Sequence, residues 1–127
     1  MSLNTSSVSV MLPIGDPAAA QEFYADRLGL PFEGTNSEQS LLFGLPGGSQ
    51  LVLLPRPDQE PSPSTAVSFV VEDIEAEIAD LKSRGLEFQD YDLPGFKTVD
   101  HVCVMASEKA AWFLDPHGNV LCLHQNL

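Results

Sequence analysis

Alternating apolar residues mark the first regular element of the chain, a strand predicted over 8–14. The residues on its apolar side are Val10, Leu12 and Ile14. Asp16 and Pro17 follow as an N-cap residue and a proline at the first helical position. Apolar residues then recur at helical spacing until Gly29, which can end a helix in the left-handed conformation. This predicted helical stripe consists of Ala20, Phe23, Tyr24 and Leu28.

The same order of signals returns in the second half of the chain. Alternation predicts a strand over 67–71, Asp73 can cap the next helix, and Gly85 can end it. The apolar stripe of this helix consists of Ile74, Ile78 and Leu81. Val67 lies 57 residues after Val10, an offset longer than the period of solenoid repeats. The chain is therefore predicted to contain two copies of one supersecondary unit.

Further strands complete each copy in the order β-α-β-β-β. They are predicted over 32–34, 41–43 and 51–54 in the first copy, and over 87–90, 110–114 and 120–124 in the second. The predicted organisation is one α+β domain over 1–127, with a first unit at 7–56, a proline-rich linker at 57–64 and a second unit at 65–127. Because proline is frequent there, the linker should be stiff and extended. An extra segment over 93–109 has no predicted structure.

The charge of the chain narrows the classes of partner. Its 127 residues carry a formal net charge of −12, with only six Lys and Arg. Such a surface repels phosphate backbones and anionic lipid, so neither nucleic acid nor a membrane is an expected partner. The acidic charge keeps the protein in solution, and it would also favour a cationic small molecule.

The N-terminal residues and the two cysteines indicate the cellular compartment of the protein. Residues 1–7 lack the basic and apolar regions of a secretory signal peptide, and no apolar run approaches the roughly 20 residues of a bilayer span. Cys103 and Cys122 are too few for a disulfide framework and lack the spacing of metal ligands. Free thiols in a reducing compartment are the simplest interpretation. We therefore expect a cytoplasmic protein.

Two motifs in the predicted order indicate a family. Phe-Tyr at 23–24 lies shortly before Leu-Gly-Leu at 28–30, and residues 109–119 form a closing hairpin around Asp-Pro-His-Gly-Asn. With the paired units, these motifs resemble the vicinal oxygen chelate superfamily, which includes glyoxalases, bleomycin-resistance proteins and dioxygenases. The resemblance implies two tandem βαβββ units that form a curved, cup-like mixed sheet with helices on the outer face. It also implies a homodimer, because members usually build or complete their sites across paired units.

Metal-dependent members of that superfamily carry a His or Gln on the first strand of a unit and a Glu on its last strand. The matching positions are Ser9 and Val52 in the first unit, and Ala66 and Cys122 in the second. None of these side chains is a carboxylate or an imidazole, the ligands that suit such a site. We therefore predict neither a bound metal nor another cofactor.

Strand parity and the family hairpin predict which side chains line the cup. The predicted ligand-binding residues are Ser9, Met11, Ser68, Trp112, Cys122 and His124. They describe a mostly apolar pocket with one large aromatic residue and a few polar groups, which is how small-molecule sites are usually built. The segment over 94–107 is expected to close the mouth of this pocket.

Three residues are candidates for catalysis, namely His101, Cys122 and His124. Cys122 and His124 are two apart on one strand and point the same way, so the imidazole could help to form a thiolate. The alternative is a buried cysteine near a terminal histidine. His101 could be a loop ligand, a base or an exposed polar residue, and His117 is expected in a solvated turn.

Three classes of function remain open from the sequence. The leading hypothesis is a metal-independent protein that binds a small, cationic organic molecule. The second is a lyase, isomerase or dioxygenase with displaced metal ligands, which requires His101, His124 and a carboxylate such as Asp90, Asp92 or Asp100 to converge. The third is a non-catalytic regulatory module, because one fold hosts many functions.

Overall fold

The computed structural model of the chain describes residues 2–127. The chain divides into two compact units, the first ending at Pro61 and the second beginning at Ser62. This division falls inside the linker predicted at 57–64. Each unit contains a four-stranded mixed sheet and a helix, so the expected α+β class is confirmed.

The first unit has its elements in the predicted order. They are β1 Ser9–Ile14, α1 Pro17–Gln21, β2 Phe32–Thr35, β3 Leu41–Gly44 and β4 Gln50–Pro55. The strands lie in the order β1-β4-β3-β2, and β1 runs parallel to β4 while the other neighbours are antiparallel. Short 3-10 turns precede β1 at Leu3–Thr5 and β4 at Pro46–Gly48. The predicted β-α-β-β-β order is therefore confirmed for this unit.

The first helical region begins and ends as predicted, but its hydrogen bonding changes from α-helical to π-helical along its length. The Asp16 side chain accepts a hydrogen bond from the Ala18 amide at 3.0 Å, which caps the first turn. From Glu22–Arg27 the backbone widens into a π-helix, a form that no hydrophobic period predicts. Gly29 then adopts a φ of 75° and ends the helical region.

One face of the first sheet packs against this helical region. The rings of Tyr24 and Phe43, both fully buried, lie 5.8 Å apart between centroids and join the helix to β3. The other buried side chains of this sheet face are Leu12, Ile14, Leu41, Leu51 and Leu53. The predicted division of β1 into two faces is confirmed, because Leu12 is buried whereas Met11 is 56% exposed.

The second unit repeats the arrangement with an insertion. Its elements are β5 Thr65–Val70, α2 Ile74–Ser83, β6 Asp92–Leu93, β7 Phe96–Lys97, β8 Cys103–Val104, β9 Glu108–Leu114 and β10 Val120–Asn126. The sheet order β5-β10-β9-β8 reproduces that of the first unit, while β6 and β7 form a separate hairpin. Met11 pairs with Val52, and in the same way Ser68 pairs with Cys122. The two units therefore agree in strand order and in register.

Helix α2 is fixed at both ends by its own sequence. The Asp73 side chain accepts a hydrogen bond from the Ala76 amide at 3.1 Å, and Gly85 adopts a φ of 91° beyond the last turn. The buried side chains of the helix are those of the predicted stripe, Ile74, Ile78 and Leu81. They pack on the face of the sheet that carries Phe113, Leu121 and Leu123. Among residues 2–127, no helix has the length and apolar character needed to cross a bilayer.

The strand predicted over 87–90 is wrong. This stretch makes a single bridge, between Phe88 and Phe113. The fourth strand of the sheet is instead Cys103–Val104, which pairs with β9 and comes from the segment without a predicted structure. The apolar residues near 87–90 reflect the burial of Leu86 and Phe88, and a short apolar run does not by itself distinguish burial from strand pairing.

The first residues of the linker form a turn, whereas a stiff, extended connector was predicted. Gln59 N donates to Arg56 O at 3.0 Å and closes a turn. Arg56 N, just before the linker, donates to Ile14 O at 2.9 Å and continues the pairing of β4 with β1. Prolines restrict their own φ, but the residues between them can still form a turn.

Candidate functional site

The second sheet has one face that lies opposite α2, and we call it the open face. Strand register places Ser68, Cys122 and Trp112 side by side on this face, one each from β5, β10 and β9. His124 follows Cys122 by two residues and points to the same side of β10. The structure therefore brings together Ser68, Trp112, Cys122 and His124 from the predicted ligand-binding set.

A hydrogen bond joins two of these residues. Ser68 Oγ and His124 Nδ1 lie 2.5 Å apart, and the imidazole tautomer decides which atom donates. The Ser68 side chain is exposed and His124 is half-buried. A hydroxyl and an imidazole can both donate and accept hydrogen bonds, so the pair offers a ligand polar contacts of either sense.

Cys122 lies beside this pair without the surroundings of a nucleophile. Its side chain is buried, and Sγ donates to the Leu123 carbonyl oxygen at 3.2 Å. Burial raises the pKa of the Cys122 thiol, and a hydrogen bond with Ser68 offsets this effect only in part. The thiolate is the reactive form of cysteine. These contacts favour the buried, unreactive cysteine over the Cys–His nucleophile.

An aromatic cluster adjoins Cys122 on the open face. Trp112 Nε1 donates to Thr65 Oγ1 at 3.1 Å, which fixes the indole against β5. The rings of Phe96 and Tyr91 lie 5.1 and 5.7 Å from that of Trp112, and 5.2 Å from each other. Tilted and edge-to-face pairs at these distances are favourable. We call Tyr91, Phe96 and Trp112 the aromatic platform.

The hairpin that carries Phe96 is closed at its base by Thr98. Thr98 N donates to Tyr91 O at 2.9 Å, and Thr98 Oγ1 accepts from Tyr91 N at 2.9 Å and donates to Asp90 Oδ1 at 3.2 Å. At the tip, Gly95 has a φ of 74°, a turn conformation that favours glycine. Part of the segment expected to close the site thus lies against Trp112.

His101 lies in a different cluster, next to α2. Its Nδ1 is 3.0 Å from Asp90 Oδ1, and its Nε2 is 3.2 Å from Lys82 Nζ. Its ring stacks on that of Phe88 with centroids 5.8 Å apart. Both ring nitrogens of His101 are therefore engaged, and they share no hydrogen-bond partner with His124.

The Asp-Pro-His-Gly-Asn turn is built by the buried Asp115 carboxylate. Its Oδ1 accepts hydrogen bonds from the amides of His117, Gly118 and Asn119 at 2.9, 2.9 and 2.8 Å. Its Oδ2 accepts from Asn119 Nδ2 at 2.8 Å. The motif therefore closes the hairpin between β9 and β10, and His117 lies within this turn.

Ser9 and Met11 lie on the equivalent face of the first sheet, opposite its helix, and both are exposed. On this face Gln50 Nε2 donates to Glu33 Oε1 at 3.1 Å, and Gln50 pairs with Ser9 across the strands. Glu33 was not among the residues predicted for the site. An irregularity between Phe32 and Gly34 in β2 obscures the parity from which its position could have been inferred.

The positions that the resemblance assigns to metal ligands do not form a fitting donor set. Val52 and Ala66 have no donor atom in their side chains, and burial favours the protonated Cys122 thiol whereas metals bind the thiolate. Within the part of the chain that the structure describes, no three His, Cys, Asp or Glu side chains form a group that could hold a metal ion.

The hairpin residues Tyr91, Phe96 and Thr98 were not predicted to belong to the site. The sequence does contain a signal for this hairpin. Pro94-Gly95 is a dipeptide typical of turns, and aromatic residues lie on both sides of it, at Tyr91 and Phe96. The local pattern does not specify which face of the sheet such a hairpin will cover, so its contact with Trp112 could not be inferred.

The family model described as Glyoxalase/Bleomycin resistance protein/Dioxygenase superfamily matches residues 7–123. No curated protein sequence matches the chain significantly. Solved structures of the same superfamily share the fold over nearly all of the chain. One such member, from Sphaerobacter thermophilus DSM 20745, has a TM-score of 0.70 and 23% identity, covering 94% of this chain and 96% of that chain.

Two further solved structures differ in what their names describe. TnmS3, an antibiotic binding protein from Streptomyces sp. CB03234, has a TM-score of 0.69 and 23% identity, covering 96% of both chains. A lactoylglutathione lyase from Agrobacterium tumefaciens has a TM-score of 0.67 and 15% identity, covering 94% of this chain and 92% of that chain. At these identities the likeness shows a shared fold.

Proposed function

Because the chain belongs to the glyoxalase/bleomycin resistance protein/dioxygenase superfamily, we propose that it binds a small organic molecule without a metal ion. The site is the open face of the second sheet. The residues that contact the ligand are those of the aromatic platform together with Ser68 and His124. Ser9 and Met11 lie on the equivalent face of the first sheet, and their part in ligand binding stays a separate prediction.

The aromatic platform is the observation that carries this proposal. Three rings from two separate segments meet on a face of the sheet that α2 leaves uncovered. Aromatic side chains supply large contact areas, and they pair favourably with planar ligand rings. We therefore propose a ligand with a planar aromatic part.

The polar groups beside the platform support a specific orientation of the ligand. Ser68 is exposed and held at 2.5 Å from His124, so this hydroxyl is already positioned before a ligand arrives. Small-molecule sites combine an apolar lining with a few such polar groups. A ligand with a hydrogen-bonding group near its ring system fits this arrangement.

The charge of the protein supports a cationic ligand. The formal net charge of −12 attracts cations to the molecule, and aromatic faces bind cations through their quadrupoles. TnmS3, which shares the fold, is named as an antibiotic binding protein, and this supports a small organic ligand.

A metal-dependent enzyme with displaced ligands is the alternative, and the arrangement of the histidines weighs against it. Lys82 Nζ lies at the nitrogen of His101 that a metal would otherwise approach, and Asp90 contacts the other nitrogen. His124 Nδ1 forms a hydrogen bond with the Ser68 hydroxyl instead of a carboxylate. The required convergence of His101, His124 and a carboxylate is therefore unsupported.

Titration of Trp112 fluorescence with three matched probes tests the proposal, since Trp112 is the single tryptophan of the chain. The probes are 1-methylquinolinium, quinoline and quinoline-2-carboxylate, which share a ring system but differ in charge. We expect saturable binding, with the cation binding most tightly and the anion most weakly. An unsaturable response to all three probes contradicts the proposed site.

Matched variants locate the binding. Phe96→Leu removes one ring of the platform and should weaken the cation about two- to tenfold, as expected for an aromatic pair of about 0.5–1.5 kcal/mol. Phe32→Leu replaces a partly exposed phenylalanine of the first unit and serves as the control. Equal effects of the two substitutions would place the ligand elsewhere.

Elemental analysis separates the binder from the metal-dependent enzyme. The purified protein is analysed before and after incubation with Zn, Ni, Mn and Fe salts and desalting. We expect no stoichiometric metal. Retention of about one equivalent per chain, lost in His101→Ala or His124→Ala, would establish the alternative.

We also propose that the protein is a homodimer, as the family resemblance implies. Val70 on the open face is 67% exposed, and a second copy that covers this face would enclose the ligand and remove apolar surface from water. Light scattering after size exclusion should give twice the 13.7 kDa of one chain. A single-chain mass at concentrations where ligand binds contradicts this part of the proposal.

The proposed location is the cytoplasm. Cys103 and Cys122 are both free and buried, which is the usual state of cysteines in a reducing compartment. Fractionation of the source cells, with detection of the protein by antibody, tests this location. Recovery from the culture medium would contradict it.

A further inference from the structure

The second unit contains a surface groove between α2 and the turn that follows β7. It consists of two cavities of about 260 and 370 Å³, and Glu75 and Asp100 line both of them. We call their combined surface the α2 groove. Its residues are not those of the open face, and the proposed function does not use it.

The α2 groove concentrates positive charge in an acidic protein. The chain has three lysines, Lys82, Lys97 and Lys109, and all three line the groove. Two of them already have partners: Lys109 Nζ is 2.8 Å from Glu75 Oε1, and Lys82 Nζ is 3.2 Å from His101 Nε2. The side-chain hydrogen bond from Lys109 lowers the pKa of the Glu75 carboxyl.

One lysine and one aspartate of the groove form no ion pair within residues 2–127. Among residues 2–127, neither Lys97 nor Asp100 takes part in an ion pair. Both line the larger cavity, and both are exposed. The groove therefore presents a free ammonium group and a free carboxylate to the same small volume.

The turn that presents Asp100 is held in an uncommon conformation. Val99 and Val102 exchange backbone hydrogen bonds of 2.8 and 3.0 Å, and the two residues between them have φ values of 52° and 73°. Positive φ at both central positions is the signature of a type I′ turn, which normally takes Asn and Gly. His101 is held there by Asp90, Lys82 and Phe88, and backbone strain of this kind is concentrated at functional sites.

Apolar surface completes the groove. Val99 and Val104 are 65% and 66% exposed, and Val102 between them is buried. The three valines line the cavity that also holds Lys97 and Asp100. Exposed valines beside uncommitted charges suit a ligand that is apolar at one end and charged at the other.

We propose that the α2 groove binds a small zwitterion with an apolar side chain, an α-amino acid or a close analogue. The ligand carboxylate contacts Lys97, its ammonium group contacts Asp100, and its side chain lies on the valines. The net charge of −12 disfavours a purely anionic ligand. A purely cationic ligand would leave Lys97 without a partner and face two further lysines.

An NMR titration of the whole ¹⁵N-labelled protein with L-leucine tests the proposal. We expect saturable shifts of amides in 97–104. Two analogues each lack one charge: 4-methylpentanoate has no ammonium group and isopentylamine has no carboxylate. Each should bind up to about fivefold more weakly, the effect of losing an exposed ion pair.

Single-charge variants assign the contacts. Asp100→Asn removes the carboxylate, and asparagine tolerates the left-handed backbone. It should abolish the preference for leucine over 4-methylpentanoate, whereas Lys97→Gln should abolish the preference over isopentylamine. Arg84→Gln and Glu77→Gln are the controls. They remove one positive and one negative charge at or next to α2 but outside the groove, and both should leave the affinity for leucine unchanged.

Three outcomes would overturn the proposal. The first is no saturable shift in 97–104 up to the solubility limit of leucine. The second is equal affinity for leucine and both analogues. The third is a set of shifts confined to the open face around Trp112, which would assign leucine to the site of the proposed function instead.

Discussion

Ser68 Oγ lies 2.5 Å from His124 Nδ1, although 56 residues separate the two in the chain. The contact exists because β5 and β10 are parallel neighbours whose register sets Ser68 beside Cys122 and diagonal to His124. The contact pairs His124 Nδ1 with the Ser68 hydroxyl. A Cys–His nucleophile would instead require the imidazole to contact the Cys122 thiol, which lies on the same strand. The pair fits the polar contact point that we propose for a ligand, and the raised pKa of the Cys122 thiol disfavours a nucleophile beside it.

Ser68→Ala should change both the imidazole and the ligand affinity. Without the hydroxyl, His124 Nδ1 loses its partner, so the tautomer ratio seen in long-range ¹H–¹⁵N spectra should shift. The affinity for a quinolinium probe should fall about fivefold, equivalent to a hydrogen bond of about 1 kcal/mol. Val104→Ala removes an exposed valine from the edge strand β8, which does not pair with β10, and it is the control that should leave the imidazole spectrum unchanged. An unchanged tautomer ratio in Ser68→Ala would show that the hydrogen bond is absent in solution.

Substitutions on the two faces of the first sheet should differ strongly in stability. Leu53 is fully buried on the helix-facing side, whereas Met11 is 56% exposed on the other side. Leu53→Ala should lower the free energy of unfolding by about 2–5 kcal/mol, because it leaves a cavity. Met11→Ala should change it by about 0.5 kcal/mol or less. Urea denaturation measures both values, and similar losses would contradict the assignment of the faces.

Asp115→Ala should destabilise the hairpin between β9 and β10. The carboxylate accepts three backbone hydrogen bonds at Oδ1, and its removal leaves amide groups without partners. We expect a loss of about 2–4 kcal/mol in the free energy of unfolding. Asp115→Asn keeps one oxygen acceptor and should recover part of this loss. If the two variants are equally unstable, the amide contacts do not account for the effect.

The Cys122 thiol should make the protein less stable at high pH. Burial raises its pKa above the ordinary value of 9.0, so the folded protein binds the proton more tightly than the unfolded chain. The associated stability is fully present below the unfolded pKa and is lost as the pH rises through the folded pKa. Urea titrations of wild type and Cys122→Ala at several pH values measure this contribution.

The difference in unfolding free energy between these two proteins should stay constant at neutral pH and fall above about pH 9. Val70→Ala removes no ionisable group, so its difference from wild type should not depend on pH. A wild-type advantage that grows with pH above 9 would mean that the Cys122 pKa is lowered instead of raised.

Much of the fold could be predicted because its signals are local. The caps at Asp16 and Asp73 and the stops at Gly29 and Gly85 act within one helical turn. Strand alternation assigned Leu12 to the buried face because neighbouring side chains alternate across a strand.

The predictions that the structure contradicts have a common physical origin. The apolar run at 87–90 is buried without a strand partner, while Cys103–Val104 pairs with β9 despite having only two residues in the ladder. Pairing depends on what lies alongside a segment, which its own residues do not reveal. The same limit applies to the turn at Asp100 and His101, whose residues are uncommon for its conformation.

The sequence by itself determined that the chain repeats one β-α-β-β-β unit, and it identified Ser68, Trp112, Cys122 and His124 as neighbours on one face. Periodicity and parity suffice for the repeat and for the side of a strand on which each residue lies, since both follow from the geometry of a single element. The place of Trp112 on the same face was implied by the resemblance of its hairpin to that of the family. Only the tertiary structure decided that the hairpin around Phe96 packs on Trp112 and that His101 lies with Lys82 next to α2. Those contacts join segments that are far apart in the chain, and they form only when the sheet and the helix have packed.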